Sequence, residues 1–197
     1  MSLILASASA TRQAMLRAAG VPFTISPASL NEAALMHDLL ANGADAIAVA
    51  AALAEQKAIL VSRGMPHETV LGGDSVLALG PEILGKSHDL PALKQLLLRM
   101  SGRSHYLVSS AALARDGHVF WRHTARVRLM VRHLSEAFID AYLAKEGTVL
   151  LGSVGGYRFE GLGAQLFESV EGDYFSILGM PLLPVLGELR AQGLLES

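Results

Sequence analysis

Two long β-forming runs, 106–114 and 118–131, are joined by Arg115-Asp116-Gly117, and no other feature constrains this chain as strongly. Asp-Gly supplies the positive φ angles that a tight hairpin turn requires, and the flanking hydrophobic runs supply the strands. A long antiparallel hairpin argues against an all-helical protein and against a purely parallel doubly wound sheet. Elsewhere strand-like and helix-like segments alternate, so the expected fold is α/β: a mixed twisted sheet with flanking helices. With 197 residues, 51% of them hydrophobic, the chain can build one sizeable core or one domain split into two lobes around a central cleft. A single domain over 1–197 is expected.

The remaining elements follow from local signals. Leu3 to Ala6 reads as a buried strand, and Ser9 caps a helix closing at Gly20. Val21 to Ser26 reads as a second strand, and Pro27 through Glu32 as a loop before a helix over 33–40. Asp45 caps a long helix ending near Arg63, and Thr69 to Gly72 forms a third strand. Val76 to Leu79 and Glu82 to Leu84 flank a Gly80-Pro81 turn, and Pro91 opens a helix that ends at Ser101-Gly102. Ser135 caps a helix to about Lys145, a glycine-rich stretch spans 152–163, and Pro181 to Gln192 forms the last helix.

A net charge of -2 and a pI near 6.4 give no overall attraction to nucleic acid or to an anionic membrane, so neither is an expected partner. Phosphate recognition must then rest on individual cations. The absence of cysteine excludes disulfides, thiolate catalysis and cysteine-bound zinc, and fits a cytoplasmic location. The first residues lack a basic n-region and a signal-length apolar run. The alanine-rich stretch 44–61 is interrupted by Glu55, Gln56 and Lys57 short of the roughly 20 residues that span a bilayer.

Four segments could carry chemistry. Ser7-Ala8-Ser9-Ala10-Thr11-Arg12 lies where a strand passes into a helix N-terminus, whose free N–H groups and dipole favour an anion. Arg12 in that first turn suits a phosphate, although a serine cap with a solvated arginine reads equally well. Gly72-Gly73-Asp74-Ser75 sits at the expected end of a buried strand, where Asp74 could activate water and hold a metal, or simply bond its own backbone in a turn. Lys57 stands where an apolar helix pattern breaks, which locally favours a solvent-facing side chain, and Lys86 follows a glycine as either a phosphate contact or an exposed loop lysine. The stretch from Gly152 to Gly163 mixes glycines with Tyr157, Phe159 and Glu160, suiting either a base-binding loop or glycine turns beside core aromatics. The seven histidines form no tight metal-ligand pair, and no Walker, Rossmann or Gly-x-Ser-x-Gly motif is present.

The order of these segments resembles the Maf family of nucleotide pyrophosphatases from one end to the other. The matching residues are Leu3-Ile4-Leu5-Ala6-Ser7 with Arg12, Glu32, Leu53-Ala54 with Lys57-Ala58, Gly73-Asp74-Ser75-Val76, Gly85-Lys86, Ser101-Gly102-Arg103, Glu160-Gly161-Leu162-Gly163, and Glu171-Gly172-Asp173-Tyr174 before Gly179-Met180-Pro181-Leu182. The resemblance implies a two-lobed Maf/ITPase-like fold, commonly a homodimer. It also implies a divalent metal, Mg²⁺ or Mn²⁺, supporting hydrolysis of a nucleoside triphosphate to the monophosphate and pyrophosphate. On that basis Asp74, Lys57 and Lys86 are the expected catalytic residues. Ser7, Ser9 and Arg12 are expected to bind phosphate, and Glu32 with Asp74 to hold the metal. A regulatory binding protein of cell division, an older association of the family, is the alternative.

Thr11, Ser75 and Glu160 are the expected specificity positions, because there the chain departs from the branch resembling dTTP and UTP hydrolases. Glu160 with Ser153, and His133-Leu134-Ser135-Glu136-Ala137, resemble the 7-methyl-GTP branch, and a carboxylate at Glu160 could accept from the N1–H and N2–H₂ of guanine. Thr11 and Ser75 lack the tryptophan and glutamine typical of that branch, so the resemblance leaves the base open.

Overall fold

The computed structural model describes residues 2–196. Its seven-stranded sheet runs in the order β2 (Thr24–Ile25), β1 (Leu3–Leu5), β3 (Thr69–Leu79), β5 (Ser104–Arg115), β6 (His118–Val131), β7 (Phe167–Glu171), with β4 (Glu82–Leu84) also paired to β3. β1 is parallel to β2 and β3, while the β3/β4, β3/β5, β5/β6 and β6/β7 pairs are antiparallel. This is the expected mixed sheet, and the Asp116-Gly117 turn, with both φ angles positive, closes the expected hairpin.

Helices cover both faces because the central strands are buried on both faces. α3 (Ala46–Arg63) packs on one face through Ala54 and Ala58 against Val70, Ala112 and Ala114. On the other face α1 (Ala10–Ala18) and α7 (Leu182–Ala191) place Leu16, Val185 and Leu189 against Leu71, Ala111 and Leu113. α4 (Leu90–Met100) and α5 (Glu136–Glu146) close a further core with Leu77, Leu129 and Tyr157. Ser9, Asp45 and Ser135 cap their helices as expected, and the structure adds two caps not expected, Asn31 for α2 (Glu32–Ala41) and Asp173 for α6 (Tyr174–Ile177). Among the described residues no helix is long and apolar enough to cross a membrane.

Three local expectations are corrected. The segments 69–72 and 76–79 are not separate strands, because Gly72 to Ser75 continue the ladder to Ala112, Ala111, Ser110 and Ser109 of β5. The second strand is only Thr24–Ile25, and both residues are exposed. Glu32 opens α2 instead of ending a loop, since the Asn31 side chain caps the Ala34 N–H and an acid in the first turn complements the helix dipole.

β3 has β5 along one edge from Val70 to Ala78, but its other edge pairs with β1 only through Leu71 and with β4 only from Leu77. Between those pairings β3 is left open, and Asp74 lies in the gap.

Candidate active site

A cavity of about 490 Å³ occupies this gap, and its walls include Ser7, Ser9, Thr11, Arg12, Glu32, Lys57, Asp74, Ser75, Lys86 and Glu160. Every candidate site residue named from the sequence therefore meets in one place. The strand's period of two explains how Asp74 and Ser75 divide the work, since adjacent side chains leave on opposite faces.

On the α3 face, Gly72 allows helix and strand to approach closely. A Cβ there would lie 2.1 Å from the Ala54 carbonyl oxygen and 2.8 Å from the Ala58 nitrogen. Lys57 is consequently not solvent-facing but 6% exposed. It belongs to the buried stripe of Ala50, Leu53, Ala54, Ala58 and Val61, a 3.6-residue pattern that outweighs its polar neighbours Glu55 and Gln56. Its Nζ lies 2.5 Å from Asp74 Oδ1 and 2.7 Å from Glu32 Oε1. Asp74, 7% exposed, has a long-range ion-pair partner and is no turn residue.

On the other face, Arg12 is 8% exposed. Its Nε donates to the Gly179 carbonyl at 2.8 Å, Nη1 to Ser7 Oγ at 3.2 Å and Nη2 to Ser75 Oγ at 3.2 Å. All three acceptors are neutral, and among the described residues no carboxylate is within ion-pair distance of Arg12. Burial pulls the guanidinium below its ordinary pKa, while the charges of Asp74 and Glu32 act in the opposite direction. A buried cation held only by neutral acceptors leaves its field available to an anion. Ser7 Oγ accepts from both Arg12 Nη1 and the Ser9 N–H, which uses its two lone pairs and leaves its proton to donate elsewhere. Ser9 caps α1 by accepting from the Arg12 N–H at 3.4 Å.

Lys86 is anchored by a backbone bridge to Val154 and has no ion-pair partner among the described residues. Glu160 has its carboxylate 3.5 Å from Arg158 Nε, and both residues line the cavity. The glycine-rich stretch packs tightly beneath them: Gly156 has a φ of +68°, and a Cβ there would lie 1.9 Å from Leu93 Cδ1. Tyr157 is buried with its hydroxyl 2.9 Å from His105 Nε2, so its ring belongs to the core as much as to the cavity wall. Beyond Ser153, Arg158 and Glu160 the cavity adjoins an apolar groove of about 950 Å³ formed by α1, Tyr174, Phe175 and α7.

The donor set fits a hard divalent cation. Two carboxylates, Glu32 and Asp74, converge on one cation, Lys57, and carboxylate oxygens completed by water and phosphate are what Mg²⁺ favours. Among the described residues no three His, Cys, Asp or Glu side chains are grouped to hold a metal unaided. Ser109 is a site neighbour outside every candidate segment, whereas Arg158 and Gly179 stand inside the glycine-rich stretch and the Gly179-Met180-Pro181-Leu182 segment without an expected role of their own. Ser109 carries no local signal, because only the tertiary fold brings it to Ser75 and, through Ser75, to Arg12.

The sequence profile of the family described as Maf-like protein matches residues 2–192. A 7-methyl-GTP pyrophosphatase of Brucella suis biovar 1 (strain 1330) is 45% identical over 99% of this chain and 98% of its own. A nucleoside triphosphate pyrophosphatase of Granulibacter bethesdensis is 47% identical over 96% of each chain. A 7-methyl-GTP pyrophosphatase of Rhizobium meliloti (strain 1021) is 46% identical over 99% of this chain and 98% of its own.

Proposed function

This chain belongs to the Maf-like protein family, and on that footing we propose that it is a nucleoside triphosphate pyrophosphatase releasing a monophosphate and pyrophosphate. The observation that carries the reading is the pairing of the buried Lys57–Asp74 ion pair, with the half-exposed Glu32 beside it, and a buried Arg12 that has no carboxylate partner among the described residues. A triphosphate would join the two halves of that site.

In the proposed reaction Asp74 takes a proton from water as its oxygen bonds to the α-phosphorus. The bond from that phosphorus to the bridging oxygen breaks, and the bridging oxygen leaves with pyrophosphate. Arg12, the Ser7 hydroxyl and the N-terminus of α1 hold phosphate oxygens, and Lys86 adds a charge at the cavity wall. Lys57 fixes the Asp74 carboxylate and offsets charge developing beside it. A divalent cation held by Glu32, Asp74 and phosphate oxygens would supply Lewis-acid polarisation and further charge neutralisation.

Glu160 and Thr11 are proposed to face the base. Glu160 accepts from the N1–H and N2–H₂ of guanine, in keeping with the names of two of the relatives. Modified guanosine triphosphates are thus the proposed substrates, with removal from the nucleotide pool as the purpose. Two lobes around the cleft, a homodimer and a cytoplasmic location complete the proposal.

The test is product analysis over 7-methyl-GTP, GTP, UTP, CTP and dTTP with Mg²⁺ or Mn²⁺. Equimolar monophosphate and pyrophosphate support the reading, whereas release of orthophosphate alone rejects it.

A further inference from the structure

Four elements distant in sequence meet at Arg12 through hydroxyl groups whose proton directions can be assigned. Ser109, on β5, is fully buried, and its Oγ lies 2.7 Å from the Ser176 carbonyl oxygen and 2.8 Å from Ser75 Oγ. A carbonyl oxygen can only accept, so the single hydroxyl proton of Ser109 is committed to Ser176. The short contact between Ser109 and Ser75 then requires Ser75 to be the donor. With its own proton so directed, Ser75 Oγ presents lone pairs to Arg12 Nη2, 3.2 Å away. Its 3.2 Å contact with the Gly179 carbonyl carries no proton of its own, and that carbonyl is already served by Arg12 Nε at 2.8 Å.

We infer that Ser109 is a positioning residue for the substrate phosphates: it sets the direction of the chain Arg12 Nη2–H to Ser75 Oγ–H to Ser109 Oγ–H to Ser176 C=O, and thereby the plane of the Arg12 guanidinium. This rests on the reading of Arg12 as the triphosphate cation. The arrangement fixes Arg12 without lowering its charge, because no acid takes part. A preorganised cation of this kind stabilises phosphate charge without reorganising when it binds. The chain also ties the segment 176–179 to the sheet, so the Gly179 carbonyl that receives Arg12 Nε is held by the same device. Gly179 has a φ of +108°, and a Cβ there would lie 3.5 Å from Ser75 Oγ and 3.6 Å from Arg12 Nη2.

Without the Ser109 hydroxyl, the Ser75 proton has the Gly179 carbonyl as its remaining nearby acceptor. Ser75 rotates, its lone pairs leave Nη2, and Arg12 loses one of three restraints. The expected effect is on phosphate affinity more than on the chemical step.

The experiment compares wild type, Ser109→Ala, Ser109→Thr, Ser110→Ala and Arg12→Ala by calorimetric titration with inorganic tripolyphosphate and by steady-state hydrolysis of the best triphosphate. Ser110 is the strand control, being equally buried on β5 with its hydroxyl bonded to Thr124 and no link to Arg12. Ser109→Ala should weaken tripolyphosphate binding about fivefold, the equivalent of one ordinary hydrogen bond, and raise KM similarly with kcat within about twofold. Ser109→Thr should recover the affinity, and Ser110→Ala should retain it. Wild-type affinity in Ser109→Ala, or an equal loss in Ser110→Ala, overturns the inference. If Arg12→Ala itself binds tripolyphosphate as wild type does, the reading of the cleft fails. That outcome is distinct from one in which Arg12→Ala weakens binding and Ser109→Ala does not.

Discussion

The ammonium of Lys57 lies 2.5 Å from the carboxylate of Asp74, and both side chains are buried. Removing either partner has unequal consequences. Lys57→Met leaves Asp74 charged and buried with no cation in contact, which costs about 3 kcal/mol and lowers Tm by roughly 10 °C in a domain of this size. Asp74→Asn leaves Lys57 paired with the half-exposed Glu32, so its stability should stay within about 1 kcal/mol of wild type. Thermal unfolding of the two variants checks the asymmetry, and equal losses would contradict it.

The neighbouring glycines predict different defects. A Cβ on Gly72 meets the backbone of α3 at 2.1 Å, so Gly72→Ala must push helix and strand apart and separate Lys57 from Asp74. A loss above about 3 kcal/mol, or insoluble protein, is expected. A Cβ on Gly73 crowds only the flexible Arg12 side chain, with Nε at 3.2 Å, and meets the Ser110 carbonyl oxygen at an ordinary contact distance of 3.5 Å. Gly73→Ala should therefore fold normally and show a raised KM, and circular dichroism with steady-state kinetics separates the two cases.

At the base end, Glu160→Gln converts a carboxylate into an amide that both accepts and donates. Initial rates should shift from guanosine toward pyrimidine triphosphates by about tenfold in the kcat/KM ratio, the scale of one charge-assisted hydrogen bond. An unchanged substrate ranking would remove Glu160 from base recognition.

His105 gives the fold an acid limit. Burial pulls its imidazole from 6.5 down to about 4, so the native protein keeps it neutral where the unfolded chain protonates. Its contribution is fully present above pH 6.5 and is lost as pH falls toward 4, by about 3 kcal/mol in all. In His105→Gln, stability between pH 7 and 4.5 should fall less steeply than in wild type. Parallel profiles would assign the acid sensitivity to other groups.

The hairpin, the long helices and their caps were legible because period and turn chemistry are local properties. β3 was read as two pieces because Gly72-Gly73 looks like a turn, whereas the glycines serve the approach of α3 and Arg12. β7 and α6 are not legible because they are only five and four residues long, too short for a periodic pattern, and are stabilised by partners remote in sequence. Lys57 shows the limit most clearly: its immediate neighbours suggest solvent, but its helical spacing from Leu53 and Ala54 places it on the buried stripe. Asp74, Arg12, Glu32 and Lys86 were legible as a set only through family resemblance, since each alone has an ordinary local use.

Asp74 is the group proposed to activate water. Its most direct test is the rate of pyrophosphate release from the preferred triphosphate by Asp74→Asn at saturating metal and substrate, with Tm measured on the same preparation. A fall of about a thousandfold in kcat at near-native Tm is the predicted result. Activity within a few fold of wild type would contradict the assignment.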